Sequence, residues 1–498
     1  MSLPHRPSHW AMPCRFMTCL LMIGWAPWIV PGAWAQGRSN SSAEDPASLL
    51  AQPFETARQM LKLLDISDSD WRSFRDGQDL ILDDQEAAIK ILFRLPQIGS
   101  QDMARWSRPL TSWEPLQRDP ASHRGEFFSL RGRATSVTRV NLSPQLVTLF
   151  GFDHYDVVEI QCTKPSGTVI ALTRKTPAAW NGRAELDEPV ELSAMFLKVA
   201  APRAQGPTYL FAAPHLRWLP DRNNESLKIG PAQVWLADQG LDISVLETAA
   251  ARNRLPLGGE ERDGFYELLT IASRVTPSEW KARAQDVPLV RMLQYPEQVQ
   301  GQVVRCTGKL RKVTKVVVPD TDIQQLYGIH FYYQLDTLLP VGGQAIEFRT
   351  EGAAGDTAGP VYRNVFPVTC CTLTIPDDWQ AWVDAPQVSQ AVEFEGIFLK
   401  LWSYPNSLVT SIDVDQRQFS PLLITGLPRR AAAIEAPETS GGVWVLVALL
   451  GLLAVIWTGM SWLNRRDRVM RNRPRSGSPT DEPPPDFNYL QDSVPKGD

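Results

Sequence analysis

Histidine and cysteine are scarce in this chain, with six of each in 498 residues. Once the expected leader is removed, the histidines are His123, His154, His215 and His330. No two are three or four apart, which excludes a His-x-x-x-His zinc helix. Gly-x-Ser-x-Gly is missing, and with it the strained nucleophile turn of one large hydrolase class. Gly-x-x-x-x-Gly-Lys-Ser/Thr and Gly-x-Gly-x-x-Gly are missing too, so neither common phosphate cradle is present. No Asp-x-Asp-x-Asp-Gly calcium loop occurs. No cofactor and no metal site is expected. The formal net charge of −5 leaves no overall excess of cations for a polyanion.

What the chain does have is an internal repeat. Phe128, Leu130, Gly132, Ala134, Val137, Thr138 and Val140 recur 176 positions later as Val304, Cys306, Gly308, Leu310, Val313, Thr314 and Val316. Leu64-Asp65-Ile66-Ser67 recurs as Leu241-Asp242-Ile243-Ser244, and Phe196-Leu197-Lys198 as Phe398-Leu399-Lys400. Pro177 and Trp180 return as Pro376 and Trp379. One module was used twice. Each copy reads as a helical segment, with acids such as Asp83-Asp84 or Glu260-Glu261 ahead of an apolar run, followed by strands. Across Phe128–Ala134 and Val304–Leu310 apolar residues alternate with polar ones, as in a strand with one buried face. The parity then switches just after the interior glycine, which predicts a bulge or bend. Later strands are predicted at Tyr155–Cys162, Thr168–Arg174, Val190–Ala200 and Thr208–Ala213. In copy two they fall at Ile329–Leu335, Ala345–Arg349, Val365–Ile375, Ala391–Leu401 and Leu408–Val414. About five short strands after a bent, glycine-containing first strand resemble an OB-type barrel in outline; a generic barrel or sandwich is the alternative.

The ends carry targeting signals. A mildly basic start, an apolar stretch and Ala33-Trp34-Ala35 predict a cleaved signal peptide over residues 1–35. Val443–Leu463 is uncharged and long enough to cross a bilayer. Arg465, Arg466, Arg468, Arg471, Arg473 and Arg475 follow it and set the predicted topology, with the repeats outside and the C-terminus in the cytoplasm. The expected organisation is therefore an α+β chain: leader 36–45, helical segment 46–120, β-barrel 121–222, second helical segment 223–300, second β-barrel 301–426, stalk 427–442, transmembrane helix 443–463 and disordered tail 464–498. Gly352–Pro360 reads as a flexible insertion that copy one lacks.

Few residues stand out as a site. An oxidising compartment permits a disulfide between Cys306 and Cys370 or Cys371, with buried free thiols as the alternative. Trp180 and Trp379 are expected to pack on a barrel rim, with ligand stacking as the second role. Arg131, Arg133 and Arg139 align with Thr307, Lys309 and Lys315, and copy two adds Arg311 and Lys312. A solvated strand face explains this basic stripe with no further assumption; as a binding surface it suits an anionic envelope polymer or lipid headgroup better than nucleic acid, given the export signal. The expected function is a membrane-anchored envelope binding or scaffold protein whose two linked modules raise effective concentration. Two alternatives are an exported enzyme using Asp377-Asp378, where copy one has Ala178-Ala179, and an assembly subunit packed against membrane proteins.

Overall fold

The computed structural model describes residues 54–80, 82–183, 185–203, 206–343, 345–349, 358–405, 417–431, 449–453 and 455–456. The chain divides into Met1–Phe54 and Glu55–Asp498, and every element below lies in the second unit. It is a mixed α/β chain with one seven-stranded and one six-stranded sheet.

The first sheet is built on β1 (Phe127–Asn141), β2 (His154–Thr163), β3 (Ser166–Thr173), β4 (Glu188–Arg203) and β5 (Gly206–Ala213), with two short additions, Arg108–Pro109 and Arg217–Trp218. The second uses β6 (Val303–Val317), β7 (Phe331–Pro340), β8 (Val365–Thr372), β9 (Gln390–Pro405) and β10 (Arg417–Thr425), with Arg429–Arg430 added. The two sheets share one strand order. In the first it runs β1-β2-β3-β5-β4, and β4 pairs again with β1. In the second it runs β6-β7-β8-β10-β9, and β9 pairs again with β6. In both, the third and fifth strands are parallel.

A single long strand serves two neighbours because it bends. β1 pairs with β4 over Phe127–Ala134 and with β2 over Gly132–Asn141. The register shifts between Ala134 and Ser136, and in β6 between Leu310 and Lys312. These bulges lie where the repeated glycine and the parity switch put them. The glycine has its own reason. A Cβ on Gly132 would sit 2.5 Å from the Gln161 carbonyl oxygen, and on Gly308 2.6 Å from that of Leu338.

Alternation along the strands feeds two cores. In the first sheet Leu130, Val169, Leu192 and Phe211 face one core, while Ile170, Met195, Leu197 and Leu210 face the helices of Ala57–Leu63 and Leu82–Arg94. In the second, Cys306, Leu335, Phe394 and Leu423 face inward. Its outer residues Cys371, Ile397, Leu399 and Ile424 meet Phe265, Leu268 and Leu269 of the helix Arg262–Arg274. That helix shares its core with Leu216 and Trp218 of the first module. The second helical segment is thus packed between the two sheets.

Several expectations need correction. The helical region 46–95 is broken into Ala57–Leu63, Asp68–Ser73 and Leu82–Arg94. The fifth strand of copy two is Arg417–Thr425; Leu408–Val414 lies outside the described residues. Ala345–Arg349 contributes no strand to the main sheet: Ile346–Arg349 pairs with Ala358–Tyr362 in a separate hairpin, so 358–360 of the expected flexible insertion are strand. Among the described residues no helix is long and apolar enough to cross a membrane. Of the expected span 443–463, only 449–453 and 455–456 are described, and they are helical. The signal peptide, the leader 36–45 and the arginines from Arg465 to Arg475 lie outside the described residues.

Candidate anion-binding site

The repeated Phe-Leu-Lys and the repeated acids come together in space. Lys198 Nζ contacts Asp84 Oδ2 with both side chains 0% exposed, and also donates to the Asp79 carbonyl at 3.0 Å. The counterpart pair is Lys400 Nζ to Glu261 Oε1 at 2.6 Å, with exposures of 0% and 2%. Burial pushes the Lys400 ammonium below its ordinary value, and Glu261 opposes the shift. In each module this pair ties the helical segment to the fourth strand. It is closed to solvent, so its role is registration rather than ligand binding. The sequence signal was a lysine repeated inside an apolar run.

The other expected residues are mostly spent on packing. Trp180 and Trp379 are fully buried; Trp180 meets Trp218 edge-on at 5.8 Å and Trp379 meets Trp382 at 5.1 Å. Neither offers a face to a ligand. Cys162, Cys306, Cys370 and Cys371 are buried free thiols, not a disulfide. Cys306 and Cys370 share the inner core of the second sheet, while Cys371, one residue on, points to the other side. Burial pushes the Cys306 thiol up to about 12. Asp377 and Asp378 open a short 3-10 turn, and Asp378 is paired with Arg430. In copy one the amides of Ala178 and Ala179 donate to Glu247 at 2.7 and 2.9 Å. Among the described residues no three His, Cys, Asp or Glu converge as metal ligands.

The basic stripe divides the two copies. In copy one every arginine is neutralised. Arg131 meets Glu191 at 3.1 Å, Arg139 meets Asp156 at 3.0 Å, and Arg133 meets Asp187 and, at 2.6 Å, Asp221. In copy two the strand registers put Tyr333 where Asp156 stands and Ser389 where Asp187 stands. Lys309, Arg311, Lys312 and Lys315 accordingly make no ion pair within 4.0 Å among the described residues. Lys309, Lys312 and Lys315 are exposed. Two carboxylates lie beside the stripe: Asp336, opposite Lys312 in the register, is raised by burial and accepts from Gln334 at 2.9 Å, and Asp384 accepts from the backbone N–H of Lys315 at 3.4 Å. At the far end Lys315 lies 4.0 Å over the half-exposed ring of Phe331. Lys309 and Lys312 thus stand on the outer side of the strand, next to the inward residues Leu310 and Val313, while Lys315, in register with Tyr333, lies on the inner side at the strand's end beside Phe331.

No protein-family model matches the chain, and no curated protein does. Among solved structures it is similar to a deletion mutant of the single-stranded DNA binding protein from Thermus aquaticus, at 8% identity over 62% of this chain and 96% of that one, with a TM-score of 0.14. It is also similar to a Leishmania major Friedlin protein assigned as an aspartyl-tRNA synthetase, at 10% identity over 47% of each chain, with a TM-score of 0.14. At such scores neither likeness bears on fold or function.

Proposed function

We propose that the chain is a membrane-anchored binding protein of the cell envelope whose second module holds an anionic polymer along β6. The carrying observation is that Lys309 and Lys315 lose the carboxylates that pair Arg133 and Arg139 in copy one, and that copy two adds Lys312. A charge already paired inside the fold has little left for a ligand, whereas an open one near an anionic surface contributes about 1 kcal/mol. Each sheet is read as a small closed barrel of OB type. The shared strand order, the parallel third and fifth strands and the return of the fourth strand to the first support that reading. In such barrels the second and third strands and adjoining loops carry the ligand, and β7 borders the cationic strand. The predicted span 443–463 supplies the anchor, with the modules outside. In its described part, Leu449, Leu450, Leu452, Leu453, Val455 and Ile456 are all at least half exposed, as a lipid-facing helix requires.

The test uses the full chain in detergent micelles and polygalacturonate as the anionic polymer. Replacing Lys309, Lys312 and Lys315 together by Gln should weaken binding about a hundredfold at low salt, three contributions of ~1 kcal/mol each. Arg131→Gln with Arg139→Gln should leave binding unchanged. Equal binding by the triple variant would sink the proposal, and so would tighter binding of oligo-dT than of polygalacturonate at matched charge.

A further inference from the structure

The two copies also differ where the helical segment meets the tip of the hairpin joining the second and third strands. In copy one this junction is filled. Trp113 stacks on Tyr209 with ring centroids 4.1 Å apart, and its indole N–H donates to the Ser166 carbonyl at 3.0 Å. A Cβ on Gly167 would come within 2.6 Å of that indole nitrogen. Both copies then continue through a residue of matching backbone and a proline. Asp119 has φ −142° and ψ 71°, and Tyr295, 176 positions later, has φ −131° and ψ 56°. By that offset Trp113 is replaced by Leu289, and by the strand register Tyr209 is replaced by Pro421.

Leu289, smaller than the indole it replaces, lines a cleft of about 580 Å³ that is bounded on the other side by Pro340–Gly342. Its rim carries Arg291, Gln294, Tyr295 and Gln298. These lie three and four residues apart on two short consecutive helices, Leu289–Gln294 and Pro296–Val299 with its flank. Tyr295 is 51% exposed, and none of the four side chains makes a hydrogen bond among the described residues. An aromatic ring, two carboxamides and one guanidinium around an open cleft match one kind of ligand. The ring covers an apolar C–H face, the amides pair with hydroxyls as donor and acceptor, and the guanidinium takes a carboxylate in a planar fork. This is the chemistry of an acidic sugar unit.

We infer that this cleft binds one uronic-acid-type saccharide unit of the polymer held on β6, an inference that rests on the polymer-binding reading. The placement is consistent with one continuous track. β7 pairs Leu338 with Lys309, and two residues further along the same strand face Pro340 begins the cleft. Lys309 therefore stands on the strand face that continues to the cleft.

The test is calorimetry on the full chain in micelles, with tetragalacturonate as the acidic probe and maltotetraose as the neutral one. Tyr295→Ala should weaken tetragalacturonate binding about tenfold. Arg291→Gln should abolish the preference for the acidic over the neutral tetramer. Leu289→Trp, which restores the residue of copy one, should close the cleft and lose the tetramer, while the protein still binds long polygalacturonate through the lysines. Wild-type affinity in all three variants would overturn the inference. If the lysine variants fail to weaken long-polymer binding but the cleft variants weaken the tetramer, the strand reading falls and the cleft stands. The opposite pattern removes the cleft alone.

Discussion

The repeated buried ion pair makes a quantitative prediction, because the two copies support their carboxylates differently. Asp84 is fully buried and, among the described residues, accepts only from Lys198 and the backbone N–H of Arg75, the latter at 3.3 Å. Lys198→Met leaves that carboxylate in the interior with a single weak donor, and leaves the Asp79 carbonyl without its own. Stranding one member of a buried pair costs about 3–5 kcal/mol. Glu261 is better held: besides Lys400 it accepts from Arg252 Nε and from the Gly258 N–H, each at 3.0 Å. Burial already depresses the Lys400 ammonium, so the cation removed there carries a desolvation penalty of its own. Lys400→Met should therefore cost about 1–3 kcal/mol. Hydrogen exchange resolved by peptide reads both sites. Opening of Leu82–Arg94 should rise by two to four orders of magnitude in Lys198→Met, against one or two for Arg262–Arg274 in Lys400→Met, at a factor of ten per ~1.4 kcal/mol. The double variant Asp84→Leu/Lys198→Met should recover most of the loss, since a packed apolar pair is close to neutral in such a place. Equal damage from the two single variants, or no recovery in the double one, would refute the reasoning.

Other measurements probe other parts of the fold. Glu267, against Arg217 at 2.5 Å, is pushed by burial from 4.5 up to about 7, with Arg217 opposing. A carboxyl raised in the folded state keeps a proton that the unfolded chain has lost. Its contribution is complete below about 4.5 and fades as pH climbs toward 7. Glu267→Gln should flatten that fall in melting temperature, and parallel curves for both proteins would contradict the assignment. Gly132→Ala should destabilise by about 1–3 kcal/mol in urea titrations, because the added carbon meets backbone rather than a movable side chain; a neutral result would mean that the strands separate at little cost. Cys162, Cys306, Cys370 and Cys371 should resist alkylation in the native protein and react after unfolding, and mass spectrometry finding a disulfide among them would oppose the free-thiol assignment.

Sequence pattern was most informative where geometry repeats at short range. The alternation in β1 and β6, the glycine and the bulge behind it all follow from a period of two and one change of phase, and were legible in advance. The fifth strand of copy two was not. Leu408–Val414 has strand-forming composition, but the partner of β8 and β9 is Arg417–Thr425, and choosing between two apolar runs depends on pairing across some fifty residues of chain. The candidate site was half legible. The stripe from Lys309 to Lys315 could be seen as basic. Whether it is open depends on Asp156, Asp187 and Asp221, which reach copy one's arginines from other elements and lie far from them in sequence. The cleft gave no signal at all, since its walls come from a helical segment and a strand end some fifty residues apart.

Duplication supplies a reason for these differences. The first module is enclosed by its own helices on one side and by the second helical segment on the other, and Glu247 of that segment caps its rim turn. Groups on such a module are used up by folding: the arginines of its stripe close on carboxylates and its junction is filled by Trp113. The second module shares a core with one helical segment only, among the described residues. A site needs donors, charges and space that folding has left unused, and satisfying them internally would stabilise the fold while removing the site. The substitutions at Tyr333, Ser389, Leu289 and Pro421 each give up an internal contact that the first module keeps. Four such losses leave the second module with groups that its own folding does not use, which is the basis of the binding role proposed for it.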